Sequence, residues 1–377
     1  DWIIKEMKLD GLSNVKGERV KVPTWIRGEE SLQIMVPYVK ELKILGIGGS
    51  VGTPKAGIRG EVLVVNSFDE LEEVKYKARG KIVLFNVPFT TYGETVKYRY
   101  DAPSKAAKYG AVATLIRSIG SGSMNTPHTG TMGEYTYHKK IPHAAITSED
   151  ALMISRISKR GQKVVLKLNM DGKFVEDRWS RNIIAELKGS TYPEEIIVVG
   201  GHIDSWDVGQ GAHDDAGGCI AAWRAVTLIK ELGLKPRRTI RIVLWTNEEN
   251  GGKGNENYKN EHLSELNNHI LAIESDGGVF APQGFGFTGS KKARDYILNI
   301  ASLLDPIGAG TITNWGRAAD VAPLNDNGVP VMSLNVDNSK YFWYHHTNAD
   351  TFDKIDFREF NNCIAAIAIM SYVVSDM

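Results

Sequence analysis

"IIVVGGHIDSWDVGQGAHDDAGG", residues 196–218, opens as a run of β-branched apolar residues. After two glycines it delivers His202, four aspartates and His213, set among further glycines. A nearly continuous apolar run marks a central strand covered on both faces. The charge that follows lies at the strand's carboxyl end, just before the helix candidate "GGCIAAWRAVTLIKELG". In open α/β sheets that edge is where ligands bind.

Outward from this stretch the alternation continues. "NIIAEL" precedes it, and "TIRIVLW", "HILAIESD", the helix candidate "KKARDYILNIASLL", the strand "VPVMSLNV" and a last helix from about Phe357 follow. Strands alternating with helical periods predict an α/β fold, three layers deep, with a mostly parallel central sheet. Residues 55–175 differ. "GEVLVVNS", "GKIVLFNV", "AVATLIRS", "IPHAAI" and "KVVLKLNMD" are short strands, with "DAPSKAAKYG" and "SEDALMISRISKRG" as helices among them. "GSGSMNTPHTGTMGEY" has no period and few apolar residues, so it reads as an exposed loop. The 377 residues thus divide into a domain made of 1–54 and 176–377 and a β-rich insertion over 55–175. "ERVKVPTWIRGEESLQIM" is expected to pair with the C-terminal sheet.

Lys+Arg and Asp+Glu both number 45, and no basic stripe stands out, which argues against nucleic acid as a partner. No apolar run approaches the ~18 residues of a membrane span. Cys219 and Cys363 each fall in an apolar, helix-like stretch and read as buried free thiols. The opening "DWIIKEMKLDGL" reads as an amphipathic helix already under way, which predicts further residues upstream, where a signal or pro-segment would lie.

Four candidate strands end in metal-ligand residue types. "IIVVGG" leads to His202, "IRIVLWTN" to Glu248 and Glu249, "HILAIES" to Asp276, and the segment after "VPVMSLNV" to His346. Asp214 lies in the Gly-rich loop after the first strand. Two histidines and three acids suit two zinc ions with one shared ligand. If Asp214 bridges, His202 and Asp276 complete one ion, and Glu249 and His346 the other. Glu248 is left over and suits a general base beside an activated water. Asp204, two residues past His202 on an extended backbone, is placed to accept the second ring N–H of that histidine. Asp350 suits a similar role near His346. Taken singly, each acid is more often a solvated charge, a turn residue or a helix cap. Asp214 or Asp215 alone could cap the following helix. Taken together, their shared position at strand ends carries the case for a metal centre.

"GGHIDSWDVGQGAHDDAGG", "WTNEENGGKGNENY", "ESDGG" and "YHHTNADT" resemble the zinc-binding blocks of the M28 metallopeptidases. Residues 55–175 resemble the protease-associated domain inserted in such enzymes. The resemblance implies His202, Asp214, Glu249, Asp276 and His346 as ligands of two zinc ions per chain, with Asp214 bridging and Glu248 as base. It implies a cis bond between Asp214 and Asp215, and a secreted or lysosomal homodimer that hydrolyses dipeptides or short peptides with free termini. Asn247 and His213 depart from the family's pattern. His345 is a candidate for holding the tetrahedral oxyanion. A carboxypeptidase needs a cation for the terminal carboxylate, for which Arg317 is a candidate, and Asp320 could meet the α-amine. The alternatives are an aminopeptidase of the same family, a catalytically silent receptor-like module, and a single-metal acyl-transfer relative. Loss of ligands would mark the silent module, and none is lost. The insertion argues against the acyl-transfer relative.

Overall fold

The computed structural model describes residues 1–137 and 139–377. The chain forms two compact units. The first comprises Asp1–Val22, Arg178–Tyr341 and Asp350–Met377, and the second Pro23–Asp177 and Phe342–Ala349. The division thus falls elsewhere than the expected 55 and 175. Residues 23–54 cluster with the second unit, and so does a short segment near the C-terminus. The reason lies in pairing. Of the stretch expected to join the C-terminal sheet, Ser13–Ile26 lies in the first sheet, whereas Glu30–Val36 bonds to Val165–Met170 in the second.

The first sheet has eight strands. Their order is Ser13–Ile26, Lys173–Leu187, Arg238–Trp245, Tyr192–His202, His269–Glu274, Val331–Val336, Pro282–Thr288 and Thr311–Thr313. The four in the middle run parallel. They are bordered by antiparallel pairs through Lys173–Leu187 and Pro282–Thr288. Ile196 and Val198 share a buried cluster with Trp245, Tyr258, Leu266 and Leu324. The alternate residues Ile197 and Val199, also buried, point to the opposite face. There the helices Gly217–Glu231 and Phe357–Asp376 pack on the same strand and on each other. Burial on both faces accounts for the apolar run that opens this region.

In the second unit the expected short strands form, and Ile58–Val65, Ile82–Phe85, Ala113–Arg117 and His143–Ile146 run parallel in that order. The helix expected at "DAPSKAAKYG" begins earlier, at Tyr92, and runs to Lys108. Thr91 caps it, accepting the Glu94 N–H. Pro103 lies inside it and masks the pattern. Both cysteines are free and buried. Among the described residues no helix is long and apolar enough to cross a membrane.

Candidate metal centre

His202 is the last residue of its strand and pairs with Trp245, the last residue of the parallel neighbour. On the other side Gly200 pairs with Glu274. The residues that follow each strand therefore emerge side by side at one edge. His202 is 1 % exposed. Its Nε2 lies 3.2 Å from Asp214 Oδ1 and 3.1 Å from Asp276 Oδ1. Its Nδ1 lies 2.8 Å from the Asp204 carbonyl oxygen, a contact that places a proton on Nδ1 and leaves Nε2 as an acceptor. Three acceptor atoms then converge with no donor among them, and only a cation or a proton relieves that arrangement. Burial disfavours a charged His202 ring, yet Asp276 and Asp214 outweigh it and hold the ring's proton affinity well above the histidine range. The donor set of imidazole and carboxylates also fits zinc.

Supporting groups surround these donors. Asp215 is fully buried. Its Oδ2 accepts the His202 N–H at 3.0 Å and its Oδ1 the Gly218 N–H at 3.1 Å. It thereby ties the strand end to the helix start. A Cβ at Gly201 or Gly218 would come within 2.1 or 2.3 Å of the Asp215 carboxylate, so both positions need glycine. The peptide bond between Asp214 and Asp215 is cis. Asp350 accepts the His213 and Asp214 N–H groups at 2.8 and 3.1 Å and so holds the loop that carries Asp214. His213 stacks on Phe280 with ring centroids 4.1 Å apart.

Asp204 differs from expectation. Its carboxylate accepts the Glu248 N–H at 3.0 Å, while its carbonyl serves His202. The strand ends at His202, so the alternation that would turn the Asp204 side chain toward the ring stops there. Past Trp245, Asn247 takes a φ of 68°, in the left-handed region that asparagine tolerates. The chain turns sharply at this point, just before Glu248 and Glu249. Glu249 is buried and accepts the Trp206 indole N–H at 2.6 Å. Burial pushes the Glu248 carboxyl well above its usual range, and Asp276, Glu249 and Asp214 add to the rise against the opposing His202. A carboxyl beside these donors is placed to take and return a proton.

Asp320, nominated for the α-amine, is 1 % exposed, and neither carboxylate oxygen has a hydrogen-bond partner. Burial, then Glu274 and Glu248, hold its carboxyl well above the ordinary range. Glu274, which sequence reasoning passed over, is fully buried and accepts the Val321 N–H at 2.8 Å. An acid at the end of an otherwise apolar buried strand was the available signal. Trp206 and Asp350 were legible only as residue types. Arg317 donates from Nη2 to both oxygens of Asp326 at 2.8 Å on a half-exposed surface. His345 and His346 are carried by Phe342–Ala349 in the second unit, where their rings stack 3.5 Å apart. There the His346 Nδ1 lies 3.3 Å from the Thr129 carbonyl oxygen.

The model of peptidase family M28 matches residues 182–371. Carboxypeptidase Q of Homo sapiens is 47 % identical over 373 residues, covering 99 % of this chain and 79 % of the relative. Carboxypeptidase Q of Xenopus laevis is 48 % identical over 376 residues, covering 100 % and 80 %.

The chain belongs to peptidase family M28.

The solved M28 peptidase precursor of Shewanella amazonensis superposes with a TM-score of 0.96 at 35 % identity, covering 100 % of this chain and 87 % of that one. A zinc aminopeptidase of Bacillus subtilis shares the fold at 19 % identity with a TM-score of 0.70, covering 100 % and 88 %. Family membership and the buried His/Asp donors make this M28 chain a zinc metallo-exopeptidase.

Proposed function

We propose that this peptidase is a di-zinc carboxypeptidase or dipeptidase acting on dipeptides or short peptides with free termini. The observation that carries the reading is the convergence of the His202, Asp214 and Asp276 donor atoms beside a Glu248 carboxyl held above its usual range. His202 and Asp276 would hold one zinc, Glu249 and His346 the second, and Asp214 both. Zinc bound there supplies Lewis acidity to a water and to the scissile carbonyl.

The remaining steps fall to the chain's own side chains. Glu248 takes the proton of the attacking water and returns it to the leaving amine. Asp215 and Asp204 fix His202 through its backbone N–H and its ring N–H, so that Nε2 stays turned toward Asp214 and Asp276. Trp206 fixes one oxygen of Glu249. His345 would stabilise the oxyanion. Asp320, buried without a partner, suits the α-ammonium of a dipeptide. The similarity to carboxypeptidase Q supports the carboxypeptidase assignment. An aminopeptidase reading draws on the same Asp320. We assign the β-rich residues 55–175 to the protease-associated class, and the whole to a secreted or lysosomal homodimer, from the sequence resemblance. Sedimentation at micromolar concentration checks the dimer.

The deciding experiment combines zinc analysis with a dipeptide panel, free and blocked at each end. Two zinc ions per chain and cleavage that requires a free C-terminus are expected. A folded protein that binds no zinc, or one that cleaves only C-terminally blocked peptides, would overturn the proposal.

A further inference from the structure

Glu248 and Glu249 are neighbours in sequence, yet the fold holds them by different atoms. One strand of the first sheet ends at His202 and its chain runs on through Trp206, while the parallel neighbour ends at Trp245 and runs on through Glu249. Three hydrogen bonds lace these two segments together. The Ile203 N–H donates to the Trp245 carbonyl at 2.6 Å. The Asp204 carboxylate accepts the Glu248 N–H at 3.0 Å. The Trp206 indole Nε1–H donates to Glu249 Oε2 at 2.6 Å. Glu248 is thus gripped through its backbone and Glu249 through its carboxylate. All of these residues lie in the first unit.

The chemistry of the indole gives that difference a consequence. Trp206 and Glu249 are 7 % and 5 % exposed. A buried indole N–H needs an acceptor, and it donates without ever accepting. It therefore pairs with the ionised carboxylate, which is the form a metal ligand must take. Engaging Oε2 in a short, charge-assisted hydrogen bond favours coordination of zinc through the other oxygen alone. A general base has the opposite need, because its carboxyl must take up a proton and pass it on. Anchoring Glu248 by its N–H fixes its place and leaves that task to its carboxyl.

We infer that Trp206 is a positioning residue that divides the labour between the two glutamates, its indole N–H fixing Glu249 as a one-oxygen zinc ligand while Glu248 serves as the proton carrier. The inference rests on the di-zinc reading above and deepens it.

Two variants separate the hydrogen bond from packing. W206F keeps a ring and loses the N–H. W206Q loses the ring and keeps an N–H the same number of bonds from Cα. Zinc affinity is measured by competition with a chromophoric chelator, the visible spectrum of the cobalt(II)-substituted protein reports the coordination, and melting temperature controls for folding. W206F is expected to hold one of its zinc ions about 10–100-fold more weakly, the range for losing a group that orients a ligand, and to shift the cobalt spectrum. W206Q should keep most of the affinity and the wild-type spectrum. Excess zinc should restore turnover in W206F, because Asp204 still anchors Glu248. Wild-type zinc affinity and spectrum in W206F would overturn the inference. A W206Q as weak as W206F, or weaker, would do the same, and so would turnover that stays lost in W206F at full zinc occupancy. If one variant fails to fold, the other decides by its zinc affinity: a loss in W206F or its retention in W206Q supports the inference, and the reverse overturns it. A wild type that binds fewer than two zinc ions would sink the di-zinc reading itself, an outcome distinct from two zinc ions whose affinity ignores Trp206.

Discussion

Both units contain an eight-stranded sheet with parallel strands in its middle, and the carboxyl ends of those strands are used differently. In the first sheet the strand ends lead to His202, Glu248, Glu249 and Asp276. In the second they lead to neutral polar residues that serve the backbone. Ser67 and Thr147 cap the helices that follow, accepting the Glu70 and Asp150 N–H groups at 2.9 and 3.0 Å. Ser118 donates to the Ile146 carbonyl at 2.7 Å. Even the buried His143 pairs with neutral groups, with Nδ1 2.8 Å from Thr114 Oγ1 and Nε2 3.1 Å from the Arg99 carbonyl. A parallel sheet offers an edge where side chains from distant parts of the sequence meet. Whether that edge becomes a reaction centre depends on leaving several acceptors there without donors.

The comparison can be broken most severely at Asp214. D214A is expected to lose zinc and all measurable turnover together, since a shared ligand holds both ions; two tightly held zinc ions by metal analysis would refute the sharing. E248Q sharpens it. Turnover should fall about 10²–10⁴-fold, the range of general acid–base catalysis, with zinc content unchanged. Near-normal turnover in that variant would remove the base assignment.

A third change separates compensation of charge from chemistry. R241M leaves the half-buried Glu186 without its partner and should cost about 1–3 kcal/mol by denaturant unfolding. Turnover of the surviving folded fraction should be unaffected, because Arg241 answers acids away from the donor cluster.

The smallest expected effects are two opposite pH slopes. Burial, then Asp276, pushes the Glu274 carboxyl up to about 8, above its unfolded value. The folded metal-free protein then binds more protons than the unfolded chain between about pH 4.5 and 8, so stability falls as pH rises through that window. Burial lowers His143 to about 4. Its contribution is present above about pH 6.5 and is lost as pH falls toward 4. Melting curves of the metal-free protein should flatten on the alkaline side in E274Q and on the acid side in H143Q. Unchanged slopes in either variant would show that the other groups carry them.

Much of the first unit was legible in the sequence. The buried strands announce themselves as apolar runs, and the ligand-type residues follow them at short spacing. The donors His202, Asp214 and Asp276, which the structure brings within 4.8 Å, could be nominated because each follows a strand end. The supporting groups were not legible. Asp204 exchanged its side chain for its carbonyl as the partner of His202, because the strand stops at that histidine. Asp350 lies 136 residues from the Asp214 N–H it accepts. The first turns of helix Tyr92–Lys108 were hidden by Pro103 and by their polar composition.

By itself the sequence determined the alternation of strands and helices, the residue types available to bind a metal, and the family. These are local properties, set by side-chain period and by which residues stand next to a strand end. Only the tertiary structure decided which oxygen faces which nitrogen, which glutamate is held by its carboxylate and which by its backbone, and which acids are left without a donor. Those outcomes depend on burial and on partners far away along the chain, since a buried polar group must find its complement wherever folding places one.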